Sequence, residues 1–101
     1  ARTQIEAGET AGELEGRLSV LSAELLAHQL PLIAAGNAAE VAQDETRATL
    51  APKITKADGL IDWDRPARAV HDFVRAMNPW PLAHSFLFPS QGRSGRRGGS
   101  L

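Results

Sequence analysis

The 101 residues carry a formal net charge of −1, and forty-three of them are apolar, but seventeen of those are Ala. Only twenty-six larger apolar side chains remain, five of them aromatic: Trp63, Phe73, Trp80, Phe86 and Phe88. Burying one such side chain contributes roughly 1.5–3 kcal/mol, so a core built from these alone is marginal against the entropy of ordering the chain. Several of them are therefore expected to pack on a neighbour outside this sequence.

The absence of Cys excludes disulfides, thiolate nucleophiles and cysteine metal sites, and fits a reducing compartment. Glu9, Glu13 and Glu15 interrupt any apolar region near the start, so no secretory signal is read there. The longest apolar stretch, residues 18–35, contains Glu24, His28 and Pro31 and is no membrane span. A cytoplasmic location is expected. The chain starts with Ala and its one Met is Met77, which suggests a processed or excised start. Charge is unevenly spread: residues 90–101 hold Arg93, Arg96 and Arg97 and no acid, whereas residues 1–89 hold eight bases and twelve acids. The body is thus no general polyanion binder, and any nucleic-acid contact there must be local.

Residues 1–6 admit an edge strand at most. Thr10-x-x-Glu13 is a capping box, in which each side chain satisfies a free amide of a helix's first turn. Leu14, Leu18, Leu21 and Leu25 follow as one helical stripe, read as core packing in preference to a partner zipper. Pro31 predicts either a kink or the start of a second short helix, and Gly36-Asn37 supplies a left-handed stop. From residue 38 to 58 no period holds, and Pro52 forbids a continuous helix, so a long exposed connection is expected.

Leu60 to Trp63 predict a brief strand. Asp64 is the expected cap of a second helix, with Pro66 in its first turn. Val70, Phe73, Val74 and Met77 form its apolar face, and Asn78-Pro79 ends it. Trp80-Pro81 continues as a stiff corner in which the Trp can pack over Met77. Ser85 to Phe88 can begin a strand, and residues 89–101 read as a disordered Gly/Arg/Ser tail. No internal repeat is present.

Little of this carries chemistry. His28, His71 and His84 lack metal-ligand spacing and read as solvated or half-buried histidines. Asp58, Asp62 and Asp64 lack the calcium-loop pattern. No Gly-rich loop joins a strand to a helix, and no Ser sits in a nucleophile elbow. No catalytic, cofactor-binding or metal-binding residue is assigned. Two features remain. Lys53 and Lys56 flank Thr55 in the connection, where an exposed pair can meet a phosphate backbone or simply aid solubility. Asn78, Pro79, Trp80 and Pro81 form the structural corner.

Taken together, Gln43-Asp44-Glu45, Ala51-Pro52-Lys53-Ile54-Thr55-Lys56-Ala57-Asp58-Gly59, Ile61-Asp62-Trp63 and Asn78-Pro79-Trp80-Pro81 resemble, in order and spacing, the middle-to-late part of bacterial methionyl-tRNA formyltransferases. The resemblance covers about residues 8–88. It implies formyl transfer from 10-formyltetrahydrofolate to methionyl initiator tRNA, by an enzyme with a Rossmann-like catalytic domain and an OB-like C-terminal domain that grips the tRNA.

On that map the chain is mainly α with short extended segments. Residues 1–36 end the catalytic domain, 37–59 form the linker and 60–88 open the C-terminal domain. The family's catalytic Asn-x-His and Asp match no position here and would lie before Ala1, so the segment is expected to be inactive alone, with the missing catalytic domain as its packing partner. The folate is a co-substrate of the family, with no atom held by this segment. The resemblance also makes Lys53 and Lys56 tRNA-proximal, as backbone positioners without base readout. After Phe88 the sequence departs from the family pattern, as a truncation, frameshift or split gene would. Two other readings stand beside it: a non-catalytic RNA-binding module using the lysines and the Arg-rich tail, and a fragment of another formyl-folate-dependent formyltransferase.

Overall fold

A computed structural model describes residues 1–88. Its order is helix α1 (Ala11–Ala34), a 3-10 turn at Glu45–Arg47, a second at Lys56–Gly59, and helix α2 (Ala67–Ala76). The expected arrest signals of α1 operate at both ends. Thr10 is extended at φ −86° and ψ 164°. Its Oγ1 accepts from the Glu13 amide at 3.3 Å, and Glu13 Oε1 accepts from the Thr10 amide and hydroxyl at 3.4 and 3.0 Å. At the other end Gly36 takes φ +73°. Its amide donates to Ile33 O at 3.1 Å, and the Asn37 amide reaches back to Leu32 O at 2.8 Å. This bond pair is the standard closure of a helix by a left-handed residue.

Because only a residue without Cβ enters that region freely, Gly36→Ala is expected to cost about 1 kcal/mol. Thermal unfolding followed by circular dichroism measures it, and an unchanged midpoint would show that the stop carries no stability.

Pro31 neither starts a new helix nor interrupts this one; α1 runs through it to Ala34. It lies in the final turn, where removing one amide leaves few downstream residues to disturb.

The leucine stripe is open along most of its length. Leu14 and Leu21 are half-buried, but Leu18 and Leu25 are exposed, and no apolar side chain among the described residues is fully buried. The expected core packing is therefore not realised within these residues. Among the described residues α1 and α2 share no packed face, and an open cleft separates Leu14 from Arg68 and Asp72, so nothing covers the stripe along the roughly 36 Å of α1.

Three expected extended segments do not form strands. Residues 1–6 are irregular, and Gln4 O accepts from Arg17 Nη2 at 2.6 Å, leaving no ladder. Leu60–Trp63 and Ser85–Phe88 reduce to one isolated parallel bridge, Leu60 to His84. A single pair cannot propagate where Pro81 and the positive φ of Leu82 (69°) bend the incoming chain. The second helix also begins later than expected. Asp64 does not cap it; the Asp64 amide instead donates to Asp62 Oδ1 at 3.0 Å. Pro66 occupies the cap position at ψ 149°, and its carbonyl accepts from the Val70 amide at 3.1 Å. Residues 89–101, where the Arg-rich tail was read, lie outside the described residues. Among the described residues, no helix is long and apolar enough to cross a membrane.

Candidate nucleic-acid interface

Lys53 and Lys56 are both exposed, and neither ammonium forms an ion pair among the described residues. Lys56 opens the short turn Lys56–Gly59, while Lys53 precedes it in irregular chain after Pro52. The turn is held from within by one carboxylate. Asp58 Oδ2 accepts from the Thr55 amide at 2.7 Å and from the Thr55 hydroxyl at 3.0 Å. The amide contact, then the hydroxyl, lowers the Asp58 carboxyl below its ordinary range, so it remains an acceptor at neutral pH.

The turn is also held from outside. Gly59 is buried; a Cβ there would press into the Leu82 carbonyl oxygen and lie 3.2 Å from His84 Nδ1. Gly59 O accepts from the His84 amide at 2.8 Å, and the Ile61 amide donates to His84 O at 2.9 Å. Trp63 Nε1 donates to Ser85 Oγ at 2.8 Å, fastening the same pair of segments again. Here the expected corner does its work. Asn78-Pro79 and Trp80-Pro81 are both cis, and the Leu82 amide closes the loop on Met77 O at 2.8 Å. Pro81 is buried, whereas Trp80 is 58% exposed. The far side of the corner meets α1: Gly12 N donates to Asn78 O at 3.0 Å, satisfying one free amide of the helix start.

A polar clasp beside this contact was not foreseen from sequence. Glu9, its side chain 7% exposed, takes Arg17 in a two-pronged pair, Nε to Oε1 at 2.8 Å and Nη2 to Oε2 at 2.9 Å. Oε2 also accepts the Glu6 amide at 3.0 Å. Arg17, then the Glu6 amide, holds the Glu9 carboxyl below its ordinary range, and Glu9 in turn raises Arg17. Arg17 Nη1 further donates to the Thr3 hydroxyl. From α2, Arg75 Nη1 donates to Glu6 O and Glu9 O at 2.9 and 2.7 Å, and its Nη2 meets Asp72 Oδ1 at 2.9 Å. Arg75 is foremost in lowering the Asp72 carboxyl. The clasp joins residues 66 and 69 apart in sequence, so no spacing pattern announces it; a basic residue flanked by apolar positions on a short helix was the one available signal.

An open cleft of about 430 Å³ lies over this clasp, lined by Ile5, Leu14, Arg68 and Asp72 among others. Its charged groups are engaged with one another and present no convergent acid and base. His28 and His71 are exposed, as expected, and His84 packs edge-on against Phe86 with ring centres 5.9 Å apart. Among the described residues, no group of three His, Asp or Glu is placed to hold a metal ion.

Residues 53–96 match the family described as formyl transferase, C-terminal domain. The chain is 47% identical over 83 residues to the methionyl-tRNA formyltransferase of Solibacter usitatus, an alignment covering 82% of this chain and 27% of that protein. To the enzyme of the same name from Citrifermentans bemidjiense it is 47% identical over 85 residues, 84% of this chain and 27% of the relative. The corresponding figures for Geobacillus thermodenitrificans are 41% over 81 residues, 80% and 25%. The chain thus spans about a quarter of the length of the curated relatives it matches. The lysine turn and the proline corner both lie inside the matched domain, and the similarity to methionyl-tRNA formyltransferases runs over about four-fifths of the chain.

Proposed function

We propose that this chain is the joint of a formyltransferase that acts on methionyl initiator tRNA in the cytoplasm, with 10-formyltetrahydrofolate as formyl donor. In this reading residues 1–36 complete a Rossmann-like catalytic domain, 37–59 link it to the next, and 60–88 open an OB-like tRNA-binding domain. No residue here is assigned to catalysis or to folate. Formyl transfer needs a group that takes the amine proton and donors for the tetrahedral oxyanion; the described residues assemble neither. The work assigned to the segment is therefore binding: Lys53 and Lys56 meet tRNA phosphates.

The observation that carries this is the lysine turn itself. Two exposed ammonium groups carry no ion pair among the described residues; Lys56 stands on a turn tied at Asp58 and Gly59, and Lys53 lies three residues before it. A merely solubilising pair needs no such support, whereas a phosphate contact gains from being pre-positioned, since less side-chain and loop freedom is lost on binding.

The test is initiator-tRNA binding by the chain at several salt concentrations. Wild type is expected to bind at low salt and weaken as salt rises. Lys53→Gln/Lys56→Gln is expected to bind more weakly, with the salt slope reduced by about one for each lysine. An unchanged slope, or no binding even at low salt, would reject the assignment.

A further inference from the structure

We infer that the corner at residues 78–82 is a positioning element that holds the lysine turn at a set place relative to α1, gripped at both ends by a glycine. The inference rests on the tRNA reading of Lys53 and Lys56 proposed above. It adds three positioning residues, Gly12, Gly59 and Asn78, none of which touches RNA in this scheme.

The contacts form a continuous train. At one end α1 presents Gly12, where a Cβ would lie 2.8 Å from Pro79 Cδ and 3.8 Å from Asn78 O. The Gly12 amide bonds that same oxygen. At the other end Gly59 is backed onto Leu82 O, with Pro81 Cγ 3.3 Å from where its Cβ would stand. Between the two glycines lie only the residues of the corner, with two proline rings and the Leu82-to-Met77 bond to limit their freedom. Backbone meets backbone at both ends, so the spacing between α1 and the turn does not depend on flexible side chains. Yet nothing in α1 needs a lysine turn at that place for its own stability. A rigid spacer between a long helix and a solvent-facing cationic turn is explained if the turn's position matters to a ligand.

The experiment uses the full chain with two readouts: tRNA affinity at low salt, and the rate of tryptic cleavage after Lys56. Gly59→Ala is expected to release the turn, raising cleavage there about tenfold, since local opening governs proteolysis. Its tRNA affinity is expected to fall about threefold, and to fall no further when Lys53→Gln/Lys56→Gln is added, because the glycine acts only through the lysines. Helix content by circular dichroism should match wild type. If Gly59→Ala loses its helices, Ser85→Ala replaces it; that variant removes the exposed hydroxyl that accepts from Trp63 Nε1 and leaves the backbone unaltered. Gly12→Ala, at the other end of the train, is expected to act in the same direction.

Unchanged cleavage in these variants overturns the proposal, and so does an affinity loss that adds fully to that of the lysine variant. If Lys53→Gln/Lys56→Gln has no effect on tRNA while Gly59→Ala still accelerates cleavage, the lysine reading fails and the positioning role fails with it. Normal lysine dependence with unaltered cleavage rejects the positioning role alone.

Discussion

Arg75→Ala is expected to lower the stability of the folded segment by about 2 kcal/mol. The side chain is 16% exposed and serves three acceptors at once, Glu6 O, Glu9 O and Asp72 Oδ1. Truncation leaves the half-buried Glu9 carbonyl without its donor, while the exposed Glu6 carbonyl keeps the Glu9 amide, and the desolvation cost at Glu9 O adds to the lost bonds. Arg75→Lys should recover little. An ammonium is a point charge, and it cannot span two carbonyls and a carboxylate as the planar guanidinium does. Chemical unfolding of the three proteins checks this; a lysine variant as stable as wild type would show that charge alone suffices.

The second large effect concerns Glu9 and acid. Its carboxyl is lowered in the folded state by Arg17, then by the Glu6 amide. A group with a depressed folded pKa stabilises the protein above its unfolded value, about 4.3 for glutamate, and loses that contribution as pH falls through the lower folded value. Asp58 and Asp72 are shifted in the same direction and add to the same acid-side loss. The segment is therefore expected to lose stability below about pH 4, and Glu9→Gln to be less stable than wild type at pH 7 but to lose less on acidification. Melting temperatures from pH 7 down to pH 3 decide it. Parallel curves for the two proteins would mean that Glu9 is not the principal acid-sensitive group. The variant also strips Arg17 of its charged partner, so part of the loss at neutral pH comes from an arginine left half-buried and unpaired.

Both predictions concern contacts that no local pattern discloses. Thr10 and Glu13 announce a helix start because a capping box is complete within four residues, and Gly36 announces a stop because its consequence is local. Pro66 shows the limit of such signals. Its presence near a helix start is legible, but Asp64 is the expected cap, whereas Pro66 itself stays extended and the helix begins at Ala67. The corner at Asn78 was legible as stiff chain. Its partners were not, because the roles of Gly12 and Gly59 come only from corner atoms distant in sequence.

What the sequence determined by itself is therefore local or a matter of resemblance: two helices, their main stops, a lysine pair in an irregular connection, and the similarity to formyltransferases, whose ordered short motifs are legible without any knowledge of contacts. Tertiary structure alone decided where the leucine stripe lies open, that two expected strands shrink to one bridge, and that Glu9 and Arg75 tie the chain's two halves together. The physical reason is range. Caps and stops are satisfied by atoms within one turn, whereas the Arg75 guanidinium or an unfilled Cβ position acquires its meaning from atoms tens of residues away.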